Sequence, residues 1–223
     1  LTGWQDVFLT QTIDQFAHLR RRGVDVALSV GPWTHDEMVT RGTGVTALET
    51  LAWLDRHLAG RSVPPRPAPV RVQVTGRGHR GWTDLPDWPP PSDPQQLYLQ
   101  ADRRLGDRVP AADAPPSTFR YDPADPTPTV GGRLLSRQAG YRDDAALADR
   151  QDVLAFTGAP LASEIRVCGS PVVELDYACD IPHFDVFVRI SEIDARGRSR
   201  NVSDGFRRFS TTPDRPVRLD LDP

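Results

Sequence analysis

The pattern of apolar residues changes along the 223-residue chain, and this change constrains the fold more than any single motif does. Residues 11–22 and 43–59 have the spacing of amphipathic helices, and residues 24–30 between them form an apolar strand. A buried strand between two helices with short loops is typical of the end of a parallel, doubly wound sheet. The side chains expected to face inward are Ile13, Phe16, Ala17 and Leu19 in the first helix, and Val45, Leu48, Leu51, Ala52 and Leu58 in the second.

The strand at residues 24–30 runs into a short turn. Gly31 and Pro32 are expected to end the strand, and Trp33 and His35 follow them. Open α/β sheets carry their reactive groups just beyond the carboxyl ends of such strands. A histidine at that place can accept a proton and return it near neutral pH, so His35 is a candidate catalytic base.

A proline-rich connector at residues 64–69 precedes a change of character. Residues 70–75 alternate as a strand, and residues 76–91 are expected to form an ordered linker that packs by its tryptophans. Beyond residue 95, short strand-like runs are separated by Pro, Gly and Asp clusters, which predicts an all-β sandwich or jelly roll. These runs are residues 96–100, 118–121, 152–157, 163–168, 172–178, 185–193 and 215–221.

The predicted organisation therefore has two unlike parts. Residues 1–91 are expected to be the C-terminal portion of an α/β domain with its linker, and residues 95–223 most of a β-sandwich domain. The chain starts at Leu1 rather than at a methionine, and no clear closing strand precedes Pro223. We therefore expect the chain to be a fragment of a longer protein.

Composition excludes several classes of partner and site. The formal net charge of −3 gives no reason to expect nucleic acid or an anionic membrane as partner. No apolar run reaches membrane-spanning length. Cys168 and Cys179 are too few and too far apart for a metal knuckle or a redox pair, so we expect them to be buried and reduced. We predict a cytoplasmic protein without a metal or other cofactor.

Asp6 is the predicted partner of His35. Asp6 lies in the turn after a Gly-Trp pair, one helix before the strand that leads to His35. Neighbouring parallel strands lie about 4.8 Å apart, so residues just beyond their carboxyl ends can meet. An aspartate bound to a histidine orients the ring, and this is the Asp-then-His order of the α/β-hydrolases. The alternative is that Asp6 caps a turn and His35 is an incidental loop residue.

A nucleophile is not found in this sequence. No serine lies in a Gly-x-Ser-x-Gly turn between a strand and a helix, so nothing in the chain is expected to form an acyl-enzyme. The other histidines lack metal-ligand spacing and are expected to be helix-surface or loop residues. They are His18, His57, His79 and His183.

Several longer motifs follow one another along the chain. They are Gly3-Trp4-Gln5-Asp6, Gly31-Pro32-Trp33-Thr34-His35, and residues 54–60, 82–91, 121–132, 152–154 and 197–205. In this order they resemble the motifs of the cocaine esterase and X-Pro dipeptidyl-peptidase family of serine hydrolases. The resemblance implies an α/β-hydrolase domain with an inserted helical cap, followed by a jelly-roll domain. It also implies that Asp6 and His35 are the acid and base of a Ser-His-Asp triad.

The same resemblance implies a function for the intact protein. The expected reaction is hydrolysis of a small ester or an X-Pro peptide, with the serine, cap and oxyanion hole lying upstream of this chain. Trp4 and Trp33 are candidate residues of the acyl pocket, although either could be plain core. Gln5 stands where the family commonly has an aromatic residue, which leaves substrate preference open. The alternative function is a non-catalytic β-sandwich that binds a ligand or partner, with a vestigial hydrolase segment.

Overall fold

A computed structural model describes residues 1–76, 81–210 and 216–223. Strands predominate in it, and helices are few. The helices are α1 (Leu9–Arg21), α2 (His35–Met38) and α3 (Thr43–His57), with a 3-10 turn at Ala145–Asp149. The strands are β1 (Thr2–Gln5), β2 (Leu28–Thr34), β3 (Val70–Gln73), β4 (Trp82–Leu85), β5 (Tyr98–Leu99), β6 (Arg104–Gly106), β7 (Thr157–Gly158), β8 (Val172–Leu175), β9 (Phe184–Ile193), β10 (Ser199–Phe209) and β11 (Val217–Asp220).

The N-terminal part is built on a four-stranded sheet of order β1-β2-β3-β4. β1, β2 and β3 are parallel, and β4 is antiparallel to β3. Parallel neighbours need a crossover, which α1 supplies between β1 and β2, and α2 with α3 between β2 and β3. The carboxyl ends of β1 and β2 therefore lie at one edge of the sheet.

Helix α1 packs against the sheet by the face that its sequence pattern predicts. Leu9 and Phe16 are buried in the N-terminal core, and Ile13 packs against the same cluster. The helix ends as expected at Gly23, whose φ of 72° is the left-handed conformation that glycine adopts without strain. The amide N–H groups of Gly23 and Val24 then bond back to the last turn, as in a Schellman motif.

The prediction that Gly31 and Pro32 end the second strand is wrong, because β2 continues to Thr34. Gly3 of β1 faces Gly31, but Gln5 faces Thr34, so β2 contains one extra residue at this point. The irregularity makes room for Pro32, whose missing N–H would interrupt a regular ladder. On its other side, β2 pairs with β3 only as far as Val30. The bulged end of β2 places Thr34 and His35 at the sheet edge.

The inward orientation predicted for the leucines of α3 is also wrong in the described residues. Leu48 and Leu58 are 72% and 81% exposed, and α3 has no buried residue. The helix is held from its other side by polar contacts, chiefly an ion pair between Glu49 and Arg66 with N and O 2.7 Å apart. The pattern correctly predicts an amphipathic helix, but the described residues do not cover its apolar face.

The linker predicted at residues 76–91 contains a strand. β4 pairs with β3 over its whole length, with Trp82 facing Gln73. The packing by tryptophans is present: Trp88 is buried in the N-terminal core, 5.4 Å from the ring of Trp4. Trp82 lies 5.9 Å from Trp33. Residues 82–85 therefore form part of the sheet, and Trp88 packs against its core, rather than serving only as a linker.

The C-terminal part consists of small sheets, of which the β9–β10 hairpin is the largest element. β8 pairs with β11, and β5, β6 and β7 form a third sheet. Its core is formed by Phe209, Val217, Leu219 and Leu221, with the rings of Tyr177 and Phe184 packed against it. The strands predicted at residues 118–121 and 163–168 are absent from the described residues, and that at 152–157 is reduced to β7. The proposed boundary between residues 91 and 95 stays a prediction.

Glu49 joins α3 to the sheet through a partly buried charge cluster. Its carboxylate accepts hydrogen bonds from Ser29 Oγ, Arg66 Nη1 and Arg71 Nη1. Burial opposes ionisation of Glu49, but the hydrogen bonds of Ser29 and Arg66 outweigh burial and lower the pKa of the carboxyl. A carboxyl with a lowered folded-state pKa stabilises the fold above its unfolded-state pKa, and this contribution is lost as the pH falls through the folded-state value.

We therefore expect Glu49→Gln to lower the free energy of unfolding by about 1 to 3 kcal/mol at neutral pH, because it removes the charge from these hydrogen bonds. The measurement is urea denaturation of wild type and variant at pH 7 and in the acid range, where the difference should shrink. Asp55→Asn is the control, since Asp55 pairs with a largely exposed Arg61 and should cost less than about 1 kcal/mol. Equal losses at both pH values would contradict the assignment.

Candidate active site

Asp6 and His35 meet at the carboxyl edge of the parallel strands. Asp6 directly follows β1, and His35 directly follows β2. Oδ1 of Asp6 and Nδ1 of His35 are 3.0 Å apart, which is a hydrogen bond between a carboxylate and an imidazole. The bulge adds one residue to β2 relative to β1, and this extra residue brings the side chains of Asp6 and His35 opposite each other.

The carboxylate of Asp6 is fixed in one orientation. Its side chain is buried, with only 2% of the residue exposed. Oδ1 accepts the backbone N–H of Phe8 at 3.1 Å, and Oδ2 accepts the hydroxyl of Thr2 at 3.2 Å. The backbone carbonyl of Asp6 accepts the N–H of Leu9 at the start of α1. Because each oxygen has a partner besides His35, the carboxylate cannot rotate without losing a hydrogen bond.

His35 is held from its backbone and from one ring edge. It opens α2, and Thr34 caps that helix in a capping box with Glu37. Burial opposes ionisation of Glu37, but hydrogen bonds from Arg41 and Thr34 lower the pKa of its carboxyl below the usual value. The ring of Phe8 lies edge-on to the imidazole, with centroids 5.2 Å apart. The side chain of His35 is still 43% exposed, so a reactant can reach the ring.

Of the two candidate pocket tryptophans, Trp33 is buried, and Trp4 is partly buried against the N-terminal core. Trp4 donates its indole N–H to the carbonyl of Gln73 at 2.7 Å and packs on Trp88. Trp33 is buried, and a Cβ on Gly31 would lie 2.2 Å from its ring. Trp33 can therefore pack here only because residue 31 is a glycine. The buried Trp33 in turn holds the end of β2 that leads to His35. Their role in an acyl pocket stays a prediction.

Of the other histidines, His57 contacts a different set of residues. His57 packs on Trp53 with ring centroids 4.2 Å apart, and its Nε2 lies 3.6 Å from Asp25. His79 lies outside the described residues. Within residues 1–76, 81–210 and 216–223, no group of three His, Cys, Asp or Glu side chains could hold a metal ion. Over the same ranges, no helix is both long enough and apolar enough to cross a membrane.

The two cysteines are free thiols, as the sequence predicts. Cys168 is half-buried and packs against the N-terminal core, where burial raises the pKa of its thiol. Cys179 is exposed, so the expectation that both are buried is wrong for it. The run at residues 172–178 predicts a strand through this region, but β8 ends at Leu175 and leaves Cys179 in a loop.

Sequence reasoning missed two residues that fix the Asp6–His35 pair. The hydroxyl of Thr2 binds Asp6, and the ring of Phe8 lies against His35. A threonine in a short strand and an aromatic residue before a helix carry no catalytic signal by themselves. They become part of the site only because the sheet places them beside the carboxylate and the imidazole.

Comparison with known proteins identifies the class to which the chain belongs. Residues 63–223 match the family described as the X-Pro dipeptidyl-peptidase C-terminal non-catalytic domain. The chain belongs to this family, within the cocaine esterase and X-Pro dipeptidyl-peptidase group. Asp6 and His35 both precede the matched residues.

Among individual proteins, the chain is similar to named esterases. It is 27% identical over 230 residues to the cocaine esterase of Rhodococcus sp., a match that covers 93% of this chain and 40% of that enzyme. It is 29% identical over 222 residues to a protein of Mycobacterium bovis named as a serine esterase, covering 92% of this chain and 34% of the relative. A Mycobacterium tuberculosis protein with a similar name matches to the same extent. The chain thus spans at most 40% of the length of these curated relatives.

Proposed function

We propose that this chain supplies the acid and the base of a Ser-His-Asp triad in an esterase whose nucleophilic serine lies in the preceding part of the full-length protein. The observation that carries the proposal is the hydrogen bond between buried Asp6 and accessible His35, 3.0 Å long, at the carboxyl edge of parallel strands. The esterase names of the relatives support the reaction class. Their greater length is compatible with a serine outside this chain.

The proposed mechanism gives each nitrogen of His35 a role. Nδ1–H donates to Asp6, whose Oδ1 lies 3.0 Å from Nδ1, and Nε2 is the base. In the acylation half, the serine oxygen bonds to the acyl carbon and its proton moves to Nε2. The carbon–oxygen bond to the leaving alcohol then breaks, and Nε2–H returns the proton to that alcohol. Water repeats the sequence to release the acid, and Asp6 stabilises the imidazolium each time it forms.

The fold supports the same proposal. We propose that β1–β4 with α1–α3 are the C-terminal part of an α/β-hydrolase domain, and that the small sheets after them belong to a jelly roll. The uncovered leucines of α3 and its C-cap fit this view, since an apolar neighbour for them is not provided by the described residues; they are Leu48, Leu51, Leu54 and Leu58. The unpaired outer side of β1 can likewise accept further strands.

The proposed substrate is a small carboxylic ester, as the names of the relatives suggest. Amide hydrolysis of an X-Pro peptide is the second candidate reaction, supported by the family description. A binding module without catalysis is the competing function, because the matched residues 63–223 are described as non-catalytic. For localisation, we retain the proposal of a cytoplasmic protein, with neither nucleic acid nor membrane as partner.

A fluorophosphonate probe separates catalysis from pure binding, because it reacts with an activated serine. We expect the full-length protein to be labelled and this 223-residue chain alone to remain unlabelled, since the chain contains no nucleophile elbow. Mass spectrometry of both samples checks the result. Labelling of the isolated chain would contradict the proposal that the serine lies outside it. An unlabelled full-length protein would favour the binding module.

A further inference from the structure

Arg133 connects the C-terminal part of the chain to the turn that carries Asp6. Its Nη1 donates to Oγ1 of Thr10 at 3.0 Å, and its guanidinium forms an ion pair with the carboxylate of Asp222. Thr10 also donates to Oδ1 of Asp222 at 3.3 Å, so the three side chains form a closed set of contacts. The side chains of Arg133 and Asp222 are 19% and 25% exposed, whereas Thr10 lies on the exposed surface of α1, so the contact is partly shielded from water.

The loop that presents Arg133 is itself fixed to the β9–β10 hairpin. Arg189 pairs with Asp204 through two hydrogen bonds and also binds the carbonyl of Val130 at 2.6 Å. Gly132 approaches Asp204 so closely that a Cβ would lie 2.8 Å from its Oδ2. Asp222 is tied to the same strand, because its N–H donates to the Asp204 carbonyl. The loop that presents Arg133 and the acceptor Asp222 are therefore both held by contacts with Asp204 of β10.

The Thr10 end of the contact lies next to the candidate active site. Thr10 is in the first turn of α1, and the preceding residues Phe8 and Leu9 donate their N–H groups to Asp6. A shift of Thr10 would therefore move the adjacent N–H groups of Phe8 and Leu9, which hold Asp6. A small cavity of about 10 Å³ is lined by Gln5, Arg133 and Asp222, and Oε1 of Gln5 is buried without a hydrogen-bond partner among the described residues.

The electrostatics of this place oppose a cation unless carboxylates are close. The first turn of a helix is its positive end, and α1 has no acidic residue there to offset a guanidinium. Burial lowers the pKa of Arg133, and the charges of Asp204 and Asp6 act against that effect. Carboxylate charges therefore stabilise the partly buried guanidinium at this helix end, and the charge of Asp6 contributes to that effect.

We propose that Arg133 is a positioning residue for the Asp6–His35 pair: by binding Thr10 and Asp222 together, it fixes the first turn of α1 and, through it, the Asp6 carboxylate. The inference rests on the proposed function for its catalytic consequence. The family description calls the matched domain non-catalytic, and Arg133 gives that domain a direct mechanical link to the site.

The test is made in the full-length protein with Arg133→Met, Arg133→Lys and the control Arg208→Met. Arg208 forms a two-bonded ion pair with Asp185 on the exposed side of the hairpin, so it matches the charge loss without touching α1. We expect Arg133→Met to lower kcat about 10- to 100-fold with KM little changed, because small displacements of catalytic groups have effects of this size. Arg133→Lys should recover part of the loss, and Arg208→Met should behave as wild type.

A second readout does not depend on turnover. The proton on Nδ1 of His35, bound to Asp6, gives a low-field NMR signal that should disappear or broaden in Arg133→Met and persist in Arg208→Met. A merely structural role would lower thermal stability while leaving this signal and kcat unchanged, and that result would overturn the proposal. Loss of the signal in Arg133→Met supports the positioning role of Arg133 whatever the activity of His35 variants. Full activity of a His35 variant would refute the proposed function but not this positioning role.

Discussion

Replacing His35 by alanine in the full-length protein is expected to lower kcat for ester hydrolysis about 10⁴-fold or more. The imidazole is the group that removes the serine proton and protonates the leaving alcohol, and alanine can do neither. KM should change much less, because the ring is needed for the chemical steps rather than for holding the substrate. The side chain is partly exposed and lies in the short helix α2, so the fold should persist, as circular dichroism can verify.

The matched control for this experiment is His18→Ala. His18 lies on the exposed side of α1 in the described structure, so its loss should leave kcat unchanged. Steady-state kinetics with a chromogenic ester compares the three proteins. Activity of His35→Ala within a few-fold of wild type would remove His35 from the mechanism.

Replacing Asp6 by asparagine is expected to lower kcat by roughly 10³- to 10⁴-fold. Asparagine has nearly the same shape, and its amide oxygen can still accept the Phe8 N–H, while the Thr2 hydroxyl can turn to accept from the amide. Stability should therefore change little. The negative charge that stabilises the imidazolium of His35 is lost, so the effect falls on the transition state and hence on kcat.

Asp36→Asn provides the control for charge alone. Asp36 follows His35 in sequence and is exposed, so its charge is close to the site in the chain but screened by water. We expect near-normal kinetics for this variant. Equal effects of Asp6→Asn and Asp36→Asn would show that overall charge matters rather than the specific hydrogen bond, and would contradict the role given to Asp6.

The sequence was sufficient to predict the parts of the fold in which local pattern and burial agree. The helix at residues 11–22 was predicted from its apolar spacing and its terminal Gly23, and α1 occupies nearly the same range. Asp6 and His35 were predicted to meet because each follows a parallel strand, and they do. Both predictions depend on short-range rules: helical periodicity, a glycine stop, and the edge at which parallel strands end.

The sequence was insufficient where tertiary contacts override the local pattern. β10, the longest strand described, reads as polar because its inward positions include Asn201 and Ser203. Those side chains are satisfied by the backbone of Gly140, Arg142 and Asp222, which no apolar pattern can reveal. The sequence pattern likewise ends β2 too early, because Pro32 fits into the strand only through a bulge opposite β1, which no local pattern shows.

The positioning contacts of the site were equally hidden in sequence. Arg133 lies 123 residues from Thr10, and its role follows only from the loop geometry that brings the C-terminal part against α1. The exposed leucines of α3 show the opposite case: their spacing predicts an inward-facing side, but the described residues provide no surface against it, so the prediction of burial is wrong.

The most direct test of the central claim is the rate at which a fluorophosphonate labels the full-length protein with and without His35. Labelling requires a serine whose proton is removed by its base, and it needs no knowledge of the natural substrate. We predict rapid labelling of wild type and His18→Ala, and labelling of His35→Ala slowed by several orders of magnitude. Labelling of His35→Ala at the wild-type rate would contradict the role of His35 as the base.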